Sequence, residues 1–368
     1  MKKIVLLILI GLIPSLVMGQ GCIAVRHMSC AIGSGPNSNT LMQPGQWQVA
    51  LGMRSLHSYK HFVGTEYQAQ RETEGTNVIN NTQSADLGII YSVTDRLSVS
   101  VNLPLSYNDR SSMYEHYGNA ATVNPGRNRF ETKSVGLGDA RFTANYWILD
   151  PLKHPKVNVM LGLGIKLPTG NSNVKDVVHR RKADGSDYTL EKPVDQSIQL
   201  GDGAIGYNLE VQGYKLLGTK SLLYYNGFYL LSPQNVNATE QFASDKPITD
   251  LMIRYHSVAD QFAARVGVAY DLIPSKGFQV MLGTRIEGIP SSDLIGGSDG
   301  FRRPGYIISI EPGISYSKSK NMFSLTMPLA LVRNRIKSAY DLKDPAGLRQ
   351  GDAAFADYFI SATVSHRF

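Results

Sequence analysis

The sequence predicts an all-β fold, a transmembrane antiparallel up-and-down β-barrel of about twelve strands with an N-terminal signal peptide. Three observations predict it. Apolar residues recur at every second position through most of the chain. Short and long connections alternate between the candidate strands. The last strand ends in an aromatic residue, Phe368. Successive side chains on a strand point to opposite faces, so period two marks a strand with one apolar face.

Taken in chain order, residues 1–19 come first. Lys2 and Lys3 precede a short apolar run, Ile4 to Val17, interrupted by Gly11 and Pro14. The run is too short for a good membrane span and fits a signal peptide cleaved after Gly19. A retained anchor and a lipidated Cys22 are the alternatives, the latter opposed by the poor lipobox Gly19-Gln20-Gly21. Residues 20–44 do not alternate, and they form either a periplasmic tail or a plug inside the lumen. They hold both cysteines, Cys22 and Cys30. An exported chain meets an oxidising compartment, so this pair is the disulfide candidate.

From 45 to 368 the barrel pattern takes over. The candidate strands lie near 45–56, 84–93, 97–109, 134–149, 156–168, 198–216, 221–232, 258–271, 277–290, 304–317, 321–333 and 355–368. Val157, Val159, Leu161, Leu163 and Ile165 alternate with Asn158, Met160, Gly162, Gly164 and Lys166. Leu97, Val99, Val101, Leu103, Leu105 and Tyr107 do the same opposite serines, asparagines and Pro104. The apolar faces end in aromatic residues, as at an interfacial girdle. Connections near 94–96, 150–155, 217–220, 272–276 and 318–321 are short, whereas those near 57–83, 110–133, 169–197, 233–257, 291–303 and 334–354 are long and polar. Outer-membrane barrels join strands this way, with short turns on the periplasmic side. An even strand number then leaves both termini periplasmic. The charged loop 169–197 is expected to be solvated, with folding over the mouth as the alternative.

Composition agrees. The 368 residues include 35 Gly and 19 Tyr but only 18% charged residues, which suits strands and girdles and excludes a disordered chain. Net charge is +7 with the basic residues scattered, so no nucleic-acid partner is expected. No catalytic fingerprint such as H-E-x-x-H, G-x-S-x-G or a Walker loop occurs. His57 and His61 are four apart, which on a strand or loop is no metal pair. A lipid-facing Ser/His set at the outer rim would suggest a barrel phospholipase, but His366 faces lipid at the periplasmic end. Neither an enzyme, a metal nor a cofactor is expected.

Function is expected in the lumen. Alternation directs Arg54, Asp139, Arg141, Asn145, Lys166, Asn208, Glu210, Gln212, Arg265, Arg285, Glu287, Glu311 and Arg333 inward. Charges inside a wall must be hydrated or paired. They form either a salt-bridge network that fills the lumen or a polar constriction that selects solutes.

Several stretches combine into a resemblance. Ser84-Ala85-Asp86-Leu87-Gly88 is followed by Asp95-Arg96-Leu97 and Val101-Asn102-Leu103-Pro104. Then come Val135-Gly136-Leu137-Gly138-Asp139-Ala140-Arg141 and Gly164-Ile165-Lys166-Leu167-Pro168-Thr169-Gly170. This order resembles the outer-membrane transporter-like family named for the MetA pathway of phenol degradation. The resemblance covers roughly 84–368 and is tightest over 84–170. It implies an outer-membrane barrel that passes small hydrophobic or aromatic molecules passively. The expected partners are outer-membrane lipid, a small-molecule solute, and the barrel assembly machinery reading the C-terminal strand that ends in Phe368. The alternative is a barrel with a blocked lumen that has a structural or partner-binding role. Asp139 and Lys166, from the two most similar motifs, are expected to form a structural ion pair.

Overall fold

The computed structural model describes residues 42–116, 118–182, 184–242 and 248–368. The expected signal peptide, the Cys22/Cys30 pair and all but the end of segment 20–44 lie outside the described residues.

Twelve strands form the wall: β1 (Trp47–Ser58), β2 (Ile79–Ser92), β3 (Leu97–Ser112), β4 (Phe130–Leu137 continued by Arg141–Trp147), β5 (Val157–Lys166) and β6 (Gly206–Leu216), then β7 (Ser221–Leu231), β8 (Gln261–Ile273), β9 (Phe278–Ile289), β10 (Gly305–Lys318), β11 (Asn321–Thr326 continued by Leu329–Asn334) and β12 (Phe359–Arg367). Each pairs antiparallel with the next, and β12 returns to β1 with Val364 opposite Leu51. Closure leaves no sheet edge, which is what allows a strand-built wall to sit in lipid.

The alternation sorts side chains as expected. Leu161, Leu163, Val266, Val268, Leu282 and Val364 are exposed on the outer surface. Alternate positions of the same strands point inward and are buried: Asn158, Arg265, Arg285 and Thr363 among them. At the short-turn end the exposed aromatics Trp47, Tyr146, Tyr270, Phe323 and Phe368 form a ring, with Trp47 packed 4.5 Å from Tyr91. Toward the long-loop end Tyr107 and Tyr207 are exposed in turn. Phe262 and Tyr270, near the two ends of β8, are separated by ~27 Å along the strand. A tilt of ~40° reduces this to ~20 Å across, close to the height of a barrel's apolar band.

Side chains fill part of the interior. Tyr224 on β7 lies over the glycines of its neighbours, and a β-carbon on Gly283 would meet its hydroxyl at 2.8 Å. Glycine on the inner face of β8 and β9 thus makes room for a ring from β7.

Four expectations need correction. The fourth strand is not continuous, because residues 138–140 leave the ladder. Strand eleven breaks at Met327-Pro328, where proline has no N–H to give, and the β10–β11 register shifts between Ile308 and Ser309. Strand six begins at Gly206, not near 198. Loop 169–197 is not simply solvated: Lys175–Arg181 pairs with Asp187–Pro193 as a hairpin, and Val178, Arg180, Lys192 and Val194 are buried.

A lumen divided in two

The lumen holds two chambers stacked end to end. The inner one, toward the short turns, has a volume of ≈ 150 Å³ and is lined almost wholly by strand residues, including Gln48, Asp86, Glu210, Gln212, Arg285 and Glu311. Met42, the first described residue, also lines it. The outer one, toward the long loops, has a volume of ≈ 140 Å³. Half its wall is barrel strand, with Leu56, Asn80, Lys166 and Phe228, and Asp139 stands at the break in β4. The other half is loop, with Gln199, Leu200, Asp202, His256 and Arg303. Arg54 and Arg141 line both chambers and so mark the divide.

The sequence-predicted charges meet in pairs across the wall. Arg285 Nη2 lies 2.8 Å from Glu287 Oε2 on its own strand. Arg265 Nη1 lies 3.5 Å from Glu311 Oε1, and its Nε donates to Asn226 Oδ1 at 2.7 Å. Arg141 Nη2 donates to Asn102 Oδ1 at 3.0 Å. Asn208 Nδ2 donates to Glu210 Oε1 at 2.9 Å. Near the divide the arginines also lie against aromatic faces. The guanidinium groups of Arg54 and Arg285 stand 5.6 and 5.1 Å from the Phe359 ring, and Arg141 stands 5.1 Å from Phe228. Such contacts favour a weakly hydrated guanidinium over water. Arg333 was expected in the lumen. It keeps the inward register, opposite the buried Ile307, but at the long-loop rim, where it pairs with Asp357 and stands 5.6 Å from the Phe62 ring.

The break in β4 is where the outer loop is fastened. Asp139 stands in the break and is buried. Its Oδ1 accepts from Gly170 N at 3.0 Å, and its Oδ2 accepts from Asp202 N at 3.1 Å. Lys166 Nζ reaches Asp139 at 3.3 Å and also pairs with Asp202. Thr169 Oγ1 accepts from Ala140 N and donates to Gly138 O, both at 2.8 Å. The two motifs that carry the family resemblance are therefore one structure, joined by a third piece, Leu200-Gly201-Asp202. The approach is backbone to backbone: a β-carbon on Gly170 would lie 2.8 Å from Leu200 O. Only glycine permits it.

Sequence reasoning missed the charges that hold the outer loops. Arg302 makes a two-pronged pair with Asp293 at 2.8 and 2.6 Å, both side chains fully buried. Arg303 grips Asp195 in the same way at 2.8 and 2.6 Å, with Arg110 3.3 Å away. Burial pushes the Asp195 carboxyl up, but the two guanidinium groups outweigh it and hold the carboxyl well below its usual range. Forked pairing of this kind suits arginine. Phe359 could have been found, since it alternates with the outward Ile360. The Arg303–Asp195 pair could not, because its partners are 108 residues apart. Among the described residues no cluster of histidine, cysteine and carboxylates could hold a metal.

These features define a class: a twelve-strand membrane barrel whose lumen is narrowed by its own loops. No protein-family model and no curated protein matches the sequence. Among solved structures the fold is similar to an outer-membrane channel from Pseudomonas putida F1. The two share 13% identity and a TM-score of 0.57, over 89% of this chain and 97% of that one. A toluene transporter from Pseudomonas putida aligns at 12% identity and a TM-score of 0.43, over 95% of this chain and 98% of that one. A toluene transporter from Ralstonia pickettii aligns at 10% identity and a TM-score of 0.43, over 96% of each. At this identity the first likeness establishes the barrel fold. The other two are too distant in shape to add to it.

Proposed function

We propose that the chain is a passive outer-membrane channel for small hydrophobic or aromatic molecules, with both termini periplasmic. The observation that carries the reading is the pair of chambers, which lie in one closed lumen and share Arg54 and Arg141 as their common wall. A solute moving along the axis would pass from the loop-lined chamber to the strand-lined one past two guanidinium groups. The aromatic faces at this divide suit a ring-bearing solute. The P. putida F1 barrel of similar fold is described as an outer-membrane channel, and the motifs of β4 and β5 point to the family named for the MetA pathway.

Residues 20–44 are proposed as a plug, because Met42 already lines the inner chamber. The expected partners remain membrane lipid and the assembly machinery that reads the strand ending in Phe368. The fastening of the outer loop at Asp139 favours a second reading, a blocked barrel with a structural role.

The deciding experiment is conductance in planar bilayers with solute uptake into liposomes, comparing the mature chain with one lacking residues 20–41. Uptake of small aromatics, or pores that open on truncation, supports the channel. Silence in both forms removes it and leaves the structural barrel.

A further inference from the structure

His256 is the least explained polar group in the lumen. It borders the outer chamber, is 1% exposed, and neither ring nitrogen has a hydrogen-bond partner. Leaving a buried donor and acceptor unmade is costly, and native proteins seldom do so without a use for them. Burial lowers the imidazole to about 4, so the ring is neutral at ordinary pH and offers one N–H and one lone pair. The same chamber has an apolar side, formed by Leu56, Phe228, Leu230 and Ile289. Its volume of ≈ 140 Å³ is close to the ~150 Å³ of an engineered cavity that admits benzene.

We propose that the outer chamber binds a small, neutral, ring-sized alcohol, with the hydroxyl on His256 and the ring against Leu56, Phe228, Leu230 and Ile289. A hydroxyl both donates and accepts, so it can satisfy either buried nitrogen that the fold leaves without a partner. A hydrocarbon of the same shape fills the apolar side but leaves the imidazole unsatisfied. The inference rests on the channel reading and names the class of solute its outer chamber holds.

The test is calorimetric binding to the full mature barrel in detergent, with benzyl alcohol and its isostere ethylbenzene as probes. The expected result is about tenfold tighter binding of the alcohol. The preference should vanish in His256→Phe and return in part in His256→Gln, which restores a donor and an acceptor. His256→Phe should fold at least as stably as the parent, since it replaces an unpaired polar group with an apolar one. If it does not fold, Leu230→Trp, which fills the chamber, should abolish binding of both probes. Equal binding of the two probes, a preference that survives in His256→Phe, or no binding of either would overturn the proposal. Liposome uptake separates the two readings. Uptake of both probes without preference in binding removes the His256 site and leaves the channel. Binding with preference but no uptake leaves the site and removes the channel.

Discussion

The two ends of the lumen are built by different means. The inner chamber is enclosed by strand residues whose positions follow from register. Its charges pair with neighbours on the same or adjacent faces, as Arg285 does with Glu287. The outer chamber is enclosed by loops whose positions follow from a few buried contacts distant in sequence, such as Arg303 with Asp195. The wall therefore supplies rigidity, and the loops supply the shape that a solute meets first. A fault in one half should be readable without a fault in the other.

The largest effect is expected at Arg302→Ala. It leaves Asp293 buried without its forked partner, and breaking a buried pair costs about 3–5 kcal/mol. The outer loops should become protease-sensitive and conductance should rise, while the barrel keeps its heat-modifiable migration in SDS gels. Loss of the barrel itself would break the comparison.

Acid should act next, and on the same half. His256 sits near 4 when folded, chiefly through burial and also near Lys192 and Arg303, against about 6.5 unfolded. Its folded value is depressed, so its contribution is complete above about pH 6.5 and is lost as pH falls toward about 4. The shift corresponds to about 3 kcal/mol at most. Asp195, held down by its arginines, keeps its pair through this window and yields only at lower pH. Loop protection measured by proteolysis should fall between pH 6.5 and 4. The inner chamber, with no histidine among its described lining residues, should keep its ion selectivity over the same range.

Glu311→Gln tests the inner half. The carboxylate is buried 3.5 Å from Arg265, which keeps its bond to Asn226, so the expected loss is about 1–3 kcal/mol. The reversal potential in a salt gradient should shift toward anion selectivity, and the outer loops should stay protected. The smallest effect is expected for Ser315→Ala, which removes a 3.1 Å bond to Gln279 worth about 1 kcal/mol. It should lower the urea midpoint slightly and leave conductance unchanged.

The same contrast explains what could be read from the sequence. The twelve strands were legible because each lipid-facing side chain must be apolar and each inward one small or polar, residue by residue. Val157 through Ile165 states its own geometry. The break at 138–140 was not legible, because an alternating pattern continues on both sides of it. Lys166 and Asp139 could be paired from register, yet Asp202 could not, since it arrives on a loop with no period. His256 gave no signal, because a lone loop histidine looks the same whether solvated or buried.

The clasp at Asp139 bears on how the barrel is made. Its parts come from β4, from the end of β5 and from the approach to β6, so it can close only when all three are correctly aligned. A slip of one residue between β4 and β5 would turn Lys166 out to lipid and leave Asp139 buried without its cation. The clasp therefore acts as a proofreading device for the growing sheet: a misaligned intermediate cannot dock its largest loop, and it remains visibly unfinished to whatever inspects the nascent wall.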